Sequence, residues 1–343
     1  MNGSPAVTIG LPVYNGERYV GAALDALLGQ DYTDFELIIS DNASVDRTAD
    51  ICREFAARDQ RIRYFRNEHN IGINPNFNRL LQLARAPLFR WAAHDDLVER
   101  DFLGACVELL QAAPDAVLAQ SHVRIIDADG RDLGAYDGGL AGTESVDPVE
   151  RFAALILSRH LVTDLYGVIR TDALRRIRGL GNYYGSDRAT LAALGLLGRF
   201  VHVPRLLFMN REHPGRSSRL SDHSSERGGV AAAPMPRTWE LYREYQRAVR
   251  DLVENEADRR RCFALLRRWW FVDWNAARLA VDLVGMKVPA VYDLVTRLKL
   301  RFYGPMPQIG LRNLPPAAPE ASPPEPAADA GHRTPGGMAG SRH

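Results

Sequence analysis

The sequence predicts an α/β fold, a mostly parallel sheet with helices on both faces and a helical extension behind it. Three observations predict it. From residue 6 to about 135, short apolar runs alternate with segments of helical spacing, the rhythm of strand–helix–strand units. Each of the first four apolar runs ends in a cluster of polar residues, the place where such a sheet opens to ligands. From 238 to about 302 the pattern is helical and dense in arginine, leucine and aromatics.

The first strand is Val7 to Val13. Tyr19 to Leu28 is apolar at Val20, Ala23, Leu24, Leu27 and Leu28, a helical period. Phe35 to Ser40 reads as a buried strand, and Asp46 to Ala57 as a helix with Asp46 or Ser44 as N-cap. Arg61 to Arg66 is the third strand, Asn74 to Ala84 the third helix and Leu88 to Ala93 the fourth strand. Residues 150–215 are less regular, with strand and helix signals over Leu165–Ile169 and Arg188–Leu197. The stretch 214–237 has the Gly and Ser content of a loop. Residues 312–343, rich in Pro and Ala, are expected to be disordered. The chain thus divides into a domain over 1–215, a flexible loop or lid over 216–236, a helical extension over 237–311 and the tail 312–343.

Composition removes several classes. A formal net charge of +1 gives no global reason to expect nucleic acid as a partner. Cys52, Cys106 and Cys262 stand far apart without a CxxC, which excludes a disulfide framework or a Cys-type zinc site and suits a reducing cytosol. The first residues lack a basic segment followed by an apolar one, so no signal peptide is expected. No run approaches the roughly 20 apolar residues of a membrane span. Gly10 to Gly16 does not spell GxGxxG, and GxxxxGK[ST] is absent, which argues against a dinucleotide-binding dehydrogenase and a P-loop nucleotidase. The Gly-rich, Arg- and Lys-bearing loop of a sugar nucleotidyltransferase is missing too.

The residues after the strands carry the chemistry. Asp41 follows the second strand, where a carboxylate can accept from a ribose or a base N–H. Asp95 and Asp96 follow the fourth. Adjacent carboxylates repel unless solvent or a cation compensates, and Mg2+ or Mn2+ takes carboxylate and phosphate oxygens together. Alone, each aspartate is equally well read as a turn or a helix cap.

Together these segments resemble family 2 glycosyltransferases. Pro12-Val13-Tyr14-Asn15 matches the family's Pro-x-Tyr-Asn after strand one, and Asp41 to Asp46 its Asp-[Asp/Asn]-x-Ser-x-Asp after strand two. Asn70-Ile71-Gly72, with Asn76 and Asn78 nearby, matches its Asn-x-Gly, and His94-Asp95-Asp96 its DxD-type motif. The match is strong over about 6–135. It continues more weakly to about 218 through Tyr184 to Arg188 and Arg211 to Ser217. The resemblance implies a GT-A catalytic domain with a mostly parallel mixed sheet, inverting, metal-dependent and using Mn2+ or Mg2+. Pro12, Tyr14, Asn15 and Asp41 would hold the nucleoside. Asn70 and the Gly72 backbone would line the base or diphosphate. Asp95 would approach ribose and metal, with Asp96 and His213 on the metal. Asp187 sits where the family places its general base. Asn42 replaces the commoner second Asp, Ala93 stands where many members have an acid, and Ser186 replaces the acid before Asp187. No QxxRW-like motif is present, which argues for single transfer.

The implied partners are a UDP-, dTDP- or GDP-sugar and a saccharide or lipid-linked acceptor. Arg211 and Arg216 read either as complements to phosphate or as a solvated basic loop. The loop after 214 reads as a lid that excludes water. The run Arg267 to Trp274 with Leu279 to Val295 reads as helix packing, on the domain or across a homodimer, or as peripheral contact with the inner face of the membrane from the cytoplasm. The rival to an enzyme is a catalytically inactive, nucleotide-sugar-binding scaffold.

Overall fold

The computed structural model describes residues 4–137, 139–216 and 235–295, apart from 273, 289, 292 and 293. Most of the lid, the end of the helical extension and all of the tail therefore lie outside the described residues. The strands are β1 (Val7–Val13), β2 (Phe35–Asp41), β3 (Ile62–Arg66), β4 (Leu88–Trp91), β5 (Leu97–Val98), β6 (Ala116–Ile126), β7 (Asp132–Tyr136), β8 (Val168–Arg170) and β9 (Arg199–Arg211). The helices are α1 (Val20–Leu28), α2 (Thr48–Arg58), α3 (Ile73–Leu83), α4 (Phe102–Ala112), α5 (Pro148–Leu157), α6 (Thr171–Arg176), α7 (Ser186–Leu197), α8 (Arg237–Leu252), α9 (Glu256–Trp269) and α10 (Asn275–Gly285), with a 3-10 turn over Val162–Tyr166.

The strands form one sheet in the order β3-β2-β1-β4-β8-β6-β9-β5, with β7 also on β6. The β3-β2-β1-β4 half is parallel, as its strand–helix rhythm requires. β8 runs antiparallel to β4 and β6, and β9 lies parallel to β6. Alternation along β1 explains the two-sided core. Val7, Ile9, Leu11 and Val13 join Leu24 of α1, Cys52 of α2 and Phe102 of α4 on one face. Gly10 points to the other face, where a Cβ would lie 2.9 Å from Phe89 Cζ and 3.0 Å from Leu80 Cβ. On that face Phe77, Trp91, Phe152 and Leu191 pack with Tyr245 of α8 and Trp269 of α9. The first two helices behind the lid therefore share the core of the sheet.

Local chemistry sets the helix starts. The Asp46 carboxylate accepts from Thr48 N at 3.0 Å, so α2 begins two residues later than its spacing suggests. Asp147 accepts from Val149 N ahead of Pro148, and Asn255 accepts from Asp258 N, both side-chain N-caps. All three cysteines are buried free thiols. Among the described residues no helix is long and apolar enough to cross a membrane.

Candidate active site

The ends of β1 and β2 are tied into one unit. Asn15, at φ 49°, donates its N–H to Ser44 Oγ (2.9 Å) and accepts at Oδ1 from Val45 N (2.9 Å). Gly16 N donates to Thr48 Oγ1 (2.8 Å), Glu17 N to Asp46 Oδ2 (3.1 Å) and Arg47 N to Glu17 Oε2 (3.0 Å). Tyr14 is half-buried and Asn15 exposed on this rim, while Pro12 is buried within β1. Asp41 is fully buried. Its carboxylate accepts from the Tyr64 hydroxyl (2.8 Å) and Ser44 N (2.9 Å), with Arg66 Nε 3.3 Å away.

A network of asparagines joins β2, β3 and α3. Asn42 donates to Asn70 Oδ1 (2.8 Å) and Gly72 O (3.2 Å), and accepts from Asn67 Nδ2 and Ile71 N (2.9 Å each). Asn76 accepts from Ser40 Oγ and Asn67, and donates to Ser40 O. These bonds fix the backbone of 70–72, where Gly72 at φ 93° adopts a conformation that L side chains rarely take. Further along α3, Asn78 donates to Leu180 O (2.7 Å) and accepts from Leu180 N (2.9 Å), and Asn74 donates to Gly181 O (2.6 Å). This anchored segment runs through Gly185, at φ 80°, into the first turn of α7. Asp187 sits there, half-buried, and accepts from Arg188 N at 2.8 Å. The Asn-x-Gly segment and the loop that delivers Asp187 thus share α3 as their support.

The acidic pair lies after β4, against the end of β9. Asp95 Oδ2 and His213 Nε2 are 2.8 Å apart, the side chains only 13% and 11% exposed. Asp96 is buried. It accepts from Arg211 N (2.8 Å) and from Asn210 Nδ2, 3.1 Å from each oxygen. Burial, and then the charge of Asp95, push the Asp96 carboxyl up to about 7. Burial acts on Asp95 in the same sense, but the His213 hydrogen bond and the charges of His94, His213 and Arg216 outweigh it and hold Asp95 below the usual carboxylate range. The His94 ring lies over Gly16, where a Cβ would come within 2.5 Å of its Cδ2.

The structure corrects the reading of the late arginines. Arg211 is buried, not solvated. Its Nε donates to the Asp95 carbonyl (2.8 Å) and its Nη1 to the carbonyls of Asp127 and Ala128, and its guanidinium lies 5.0 Å from the Tyr19 ring centroid. It positions the acidic pair and has few donors left for a phosphate. Arg216 pairs with Glu212 and lends positive charge to both aspartates.

Three residues escaped the sequence reading, and a fourth, His94, reads there only as part of the acidic motif. Asn210 secures Asp96. His94 bridges the ends of β4 and β1. The Tyr19 ring packs 4.9 Å from that of His213. Tyr166, at the end of the 3-10 turn, has its hydroxyl raised by burial and by the charges of Asp96, Asp95 and Asp187, against Arg216. It therefore stands within the field of both Asp187 and the acidic pair. Asn210, Tyr19 and Tyr166 carry no local motif; the pairing of β9 with β5 places Asn210, and the 3-10 turn places Tyr166.

Among the described residues no group of three or more His, Cys, Asp or Glu side chains is arranged as a metal site. The chemistry of the donor set nevertheless fits a hard divalent cation. Asp96 Oδ2 accepts one hydrogen bond, from Asn210, and a carboxylate oxygen has a second lone pair. Asp95 and His213 are partly exposed beside it. Burial and the charge of Asp95 disfavour the ionised Asp96 carboxylate, a penalty that a bound cation would relieve.

Residues 8–176 match the family model Glycosyl transferase family 2. A putative glycosyltransferase of Bacillus subtilis, EpsH, is 32% identical over 112 residues, covering 33% of this chain and 31% of that relative. The chain therefore matches about a third of that relative's length. The crystal structure of S. aureus TarS 1–349 in complex with UDP superposes with a TM-score of 0.55 at 16% identity, over 78% of this chain and 72% of that one. A mannosyltransferase of Pyrobaculum calidifontis, in complex with GDP-Man and Mn2+, gives 0.50 at 19% identity, over 89% and 82%. These two likenesses establish the GT-A fold.

Proposed function

Residues 8–176 belong to glycosyl transferase family 2, and from that membership we propose that the protein moves a sugar from a nucleoside diphosphate to an acceptor hydroxyl. The observation that carries the reading is the Asp95–His213 pair with Asp96 held behind it at the C-terminal end of β4. Pro12, Tyr14, Asn15, Asn70 and the Gly72 backbone surround the nucleoside. Asp41, with both oxygens engaged, shapes that pocket through Tyr64 and the Ser44 turn.

In the transfer the acceptor oxygen attacks the anomeric carbon while the bond from that carbon to the diphosphate breaks. Asp187 takes the proton of the acceptor hydroxyl. One carboxylate suffices as base, and direct displacement inverts the anomeric centre. Asp95, Asp96 and His213 would hold a divalent cation, Mn2+ or Mg2+, which would supply neutralising charge for the departing diphosphate. Arg211 and Asn210 keep the carboxylates in place, and Arg216 adds positive charge beside them. The chain transfers one sugar per encounter, from a UDP-, dTDP- or GDP-sugar to a saccharide or lipid-linked hydroxyl. The buried free thiols suit a cytoplasmic setting.

Consumption of each nucleotide sugar with Mn2+, wild type against Asp96→Ala, tests the reading. A loss of at least about a hundredfold is expected. Equal rates with every donor overturn it in favour of an inactive, nucleotide-sugar-binding scaffold.

A further inference from the structure

The aromatic run divides in two. Trp269 is buried in the core with Tyr245, and Trp270 packs on Tyr242 and Trp239. Phe271 and Trp274, one and four residues on from Trp270, are 87% and 78% exposed. α10 then presents two faces. Asn275, Asp282 and Gly285 are buried, and Asp282 accepts from Thr238 N at the start of α8 (2.7 Å). The opposite face and the turn after it expose Leu283, Val284, Met286 and Val288. Exposed large apolar side chains gathered this way mark an interaction surface.

Among the described residues from 267 to 288, the exposed charged side chains are all cationic. Arg267, Arg268, Arg278 and Lys287 are exposed, and no ion pair ties them to another described residue. The single described acid of α10, Asp282, faces inward on α8. A second copy of this chain would set cations against cations. An anionic bilayer meets both properties, with aromatic and aliphatic side chains in the headgroup boundary and guanidinium and ammonium groups on the phosphates.

We propose that the α9–α10 corner docks on the surface of an anionic lipid bilayer. The α8 N-terminus links this corner to the catalytic end. Thr238 is held by Asp282, and Leu241 packs where a Cβ on Gly185 would lie 3.1 Å from Leu241 Cδ2, two residues before Asp187. Docking there brings the proton-accepting side of the site towards the membrane and favours a lipid-linked acceptor, a consequence that rests on Asp187 being the base.

Sedimentation of the full chain with vesicles tests the docking. Phosphatidylcholine vesicles containing phosphatidylglycerol are expected to carry the protein down, and vesicles of phosphatidylcholine alone to leave most of it in solution. Arg278→Ala and Lys287→Ala should each weaken binding about fivefold, and salt should weaken the wild type further. Phe271→Ser with Trp274→Ser should abolish sedimentation without changing thermal unfolding, because both side chains are exposed. Failure to sediment with anionic vesicles overturns the proposal, as does indifference to lipid charge. So does a concentration-dependent dimer, without vesicle binding, that the same double substitution breaks. Donor consumption without vesicles is read separately; its absence alongside intact vesicle binding sinks the transferase reading and leaves the docking standing.

Discussion

Replacing Asn78 by alanine is expected to cost about 2 kcal/mol of stability and to slow turnover. Its side chain clamps Leu180 from both sides, donating to the carbonyl at 2.7 Å and accepting from the N–H at 2.9 Å. Two such bonds contribute about 1 kcal/mol each, and groups left bare in a buried setting cost more. Leu180 is buried while Asn78 is half-buried, so water reaches part of the gap and limits the excess. The clamp also sets Gly179, at φ 67° and tight against Asn78 Oδ1, and with it the chain leading to Gly185 and Asp187. Urea unfolding reads the stability, and initial rates at saturating donor read kcat. A stability change under about 0.5 kcal/mol refutes the hydrogen-bond accounting. A clear loss of stability with unchanged kcat refutes the claim that this clamp places Asp187.

Three further outcomes follow from the same contacts. Gly10→Val forces carbon atoms into Phe89 and Leu80 and should cost about 1–3 kcal/mol, visible as a lower Tm; an unchanged Tm would mean the face is not close-packed. Asp187→Asn should reduce kcat about 10²–10⁴-fold with little change in donor KM, and a change within about twofold reassigns the base. His202, paired with the buried Asp164 at 3.0 Å, is pushed down by burial but held above 6.5 by the hydrogen bond and charge of Asp164, with Glu144 and Asp137 adding to it. A histidine raised in the folded chain stabilises fully below about 6.5 and loses that contribution as pH rises through its folded pKa. Thermal unfolding from about pH 6 to about pH 9 should therefore show a decline in Tm that His202→Gln lacks.

The parallel half of the sheet was legible because both its periodicity and its punctuation are local. Each strand is a short apolar run, and each ends in residues that cannot continue it. The same locality exposed Asp95 and Asp96. What it could not expose is long-range register. β9 runs beside β6 for most of its length and also pairs with β5, opposite Leu97 and Val98. Only that pairing brings Asn210, Arg211 and His213 onto the acidic pair, more than a hundred residues away in the chain. Arg211 was readable as a phosphate partner or as a loop cation because nothing in its neighbours announces three carbonyl partners. Tyr166 was invisible for a similar reason: a 3-10 turn carries no apolar period. The Arg267–Trp274 run was readable as amphipathic, but composition could not divide it, and the core takes Trp269 while Phe271 and Trp274 stay outside.

The bonds between the first two strand-end loops bear on how this scaffold can be re-engineered. Residues 14–17 and 44–48 exchange their backbone and side-chain partners with each other. A loop graft that imports only one of them strands donors and acceptors on its neighbour, and mismatched pairs of well-folded parents will then give poorly folded chimeras. Transplanted as a single cassette, the two segments carry their mutual wiring with them and can be varied as one module for donor choice.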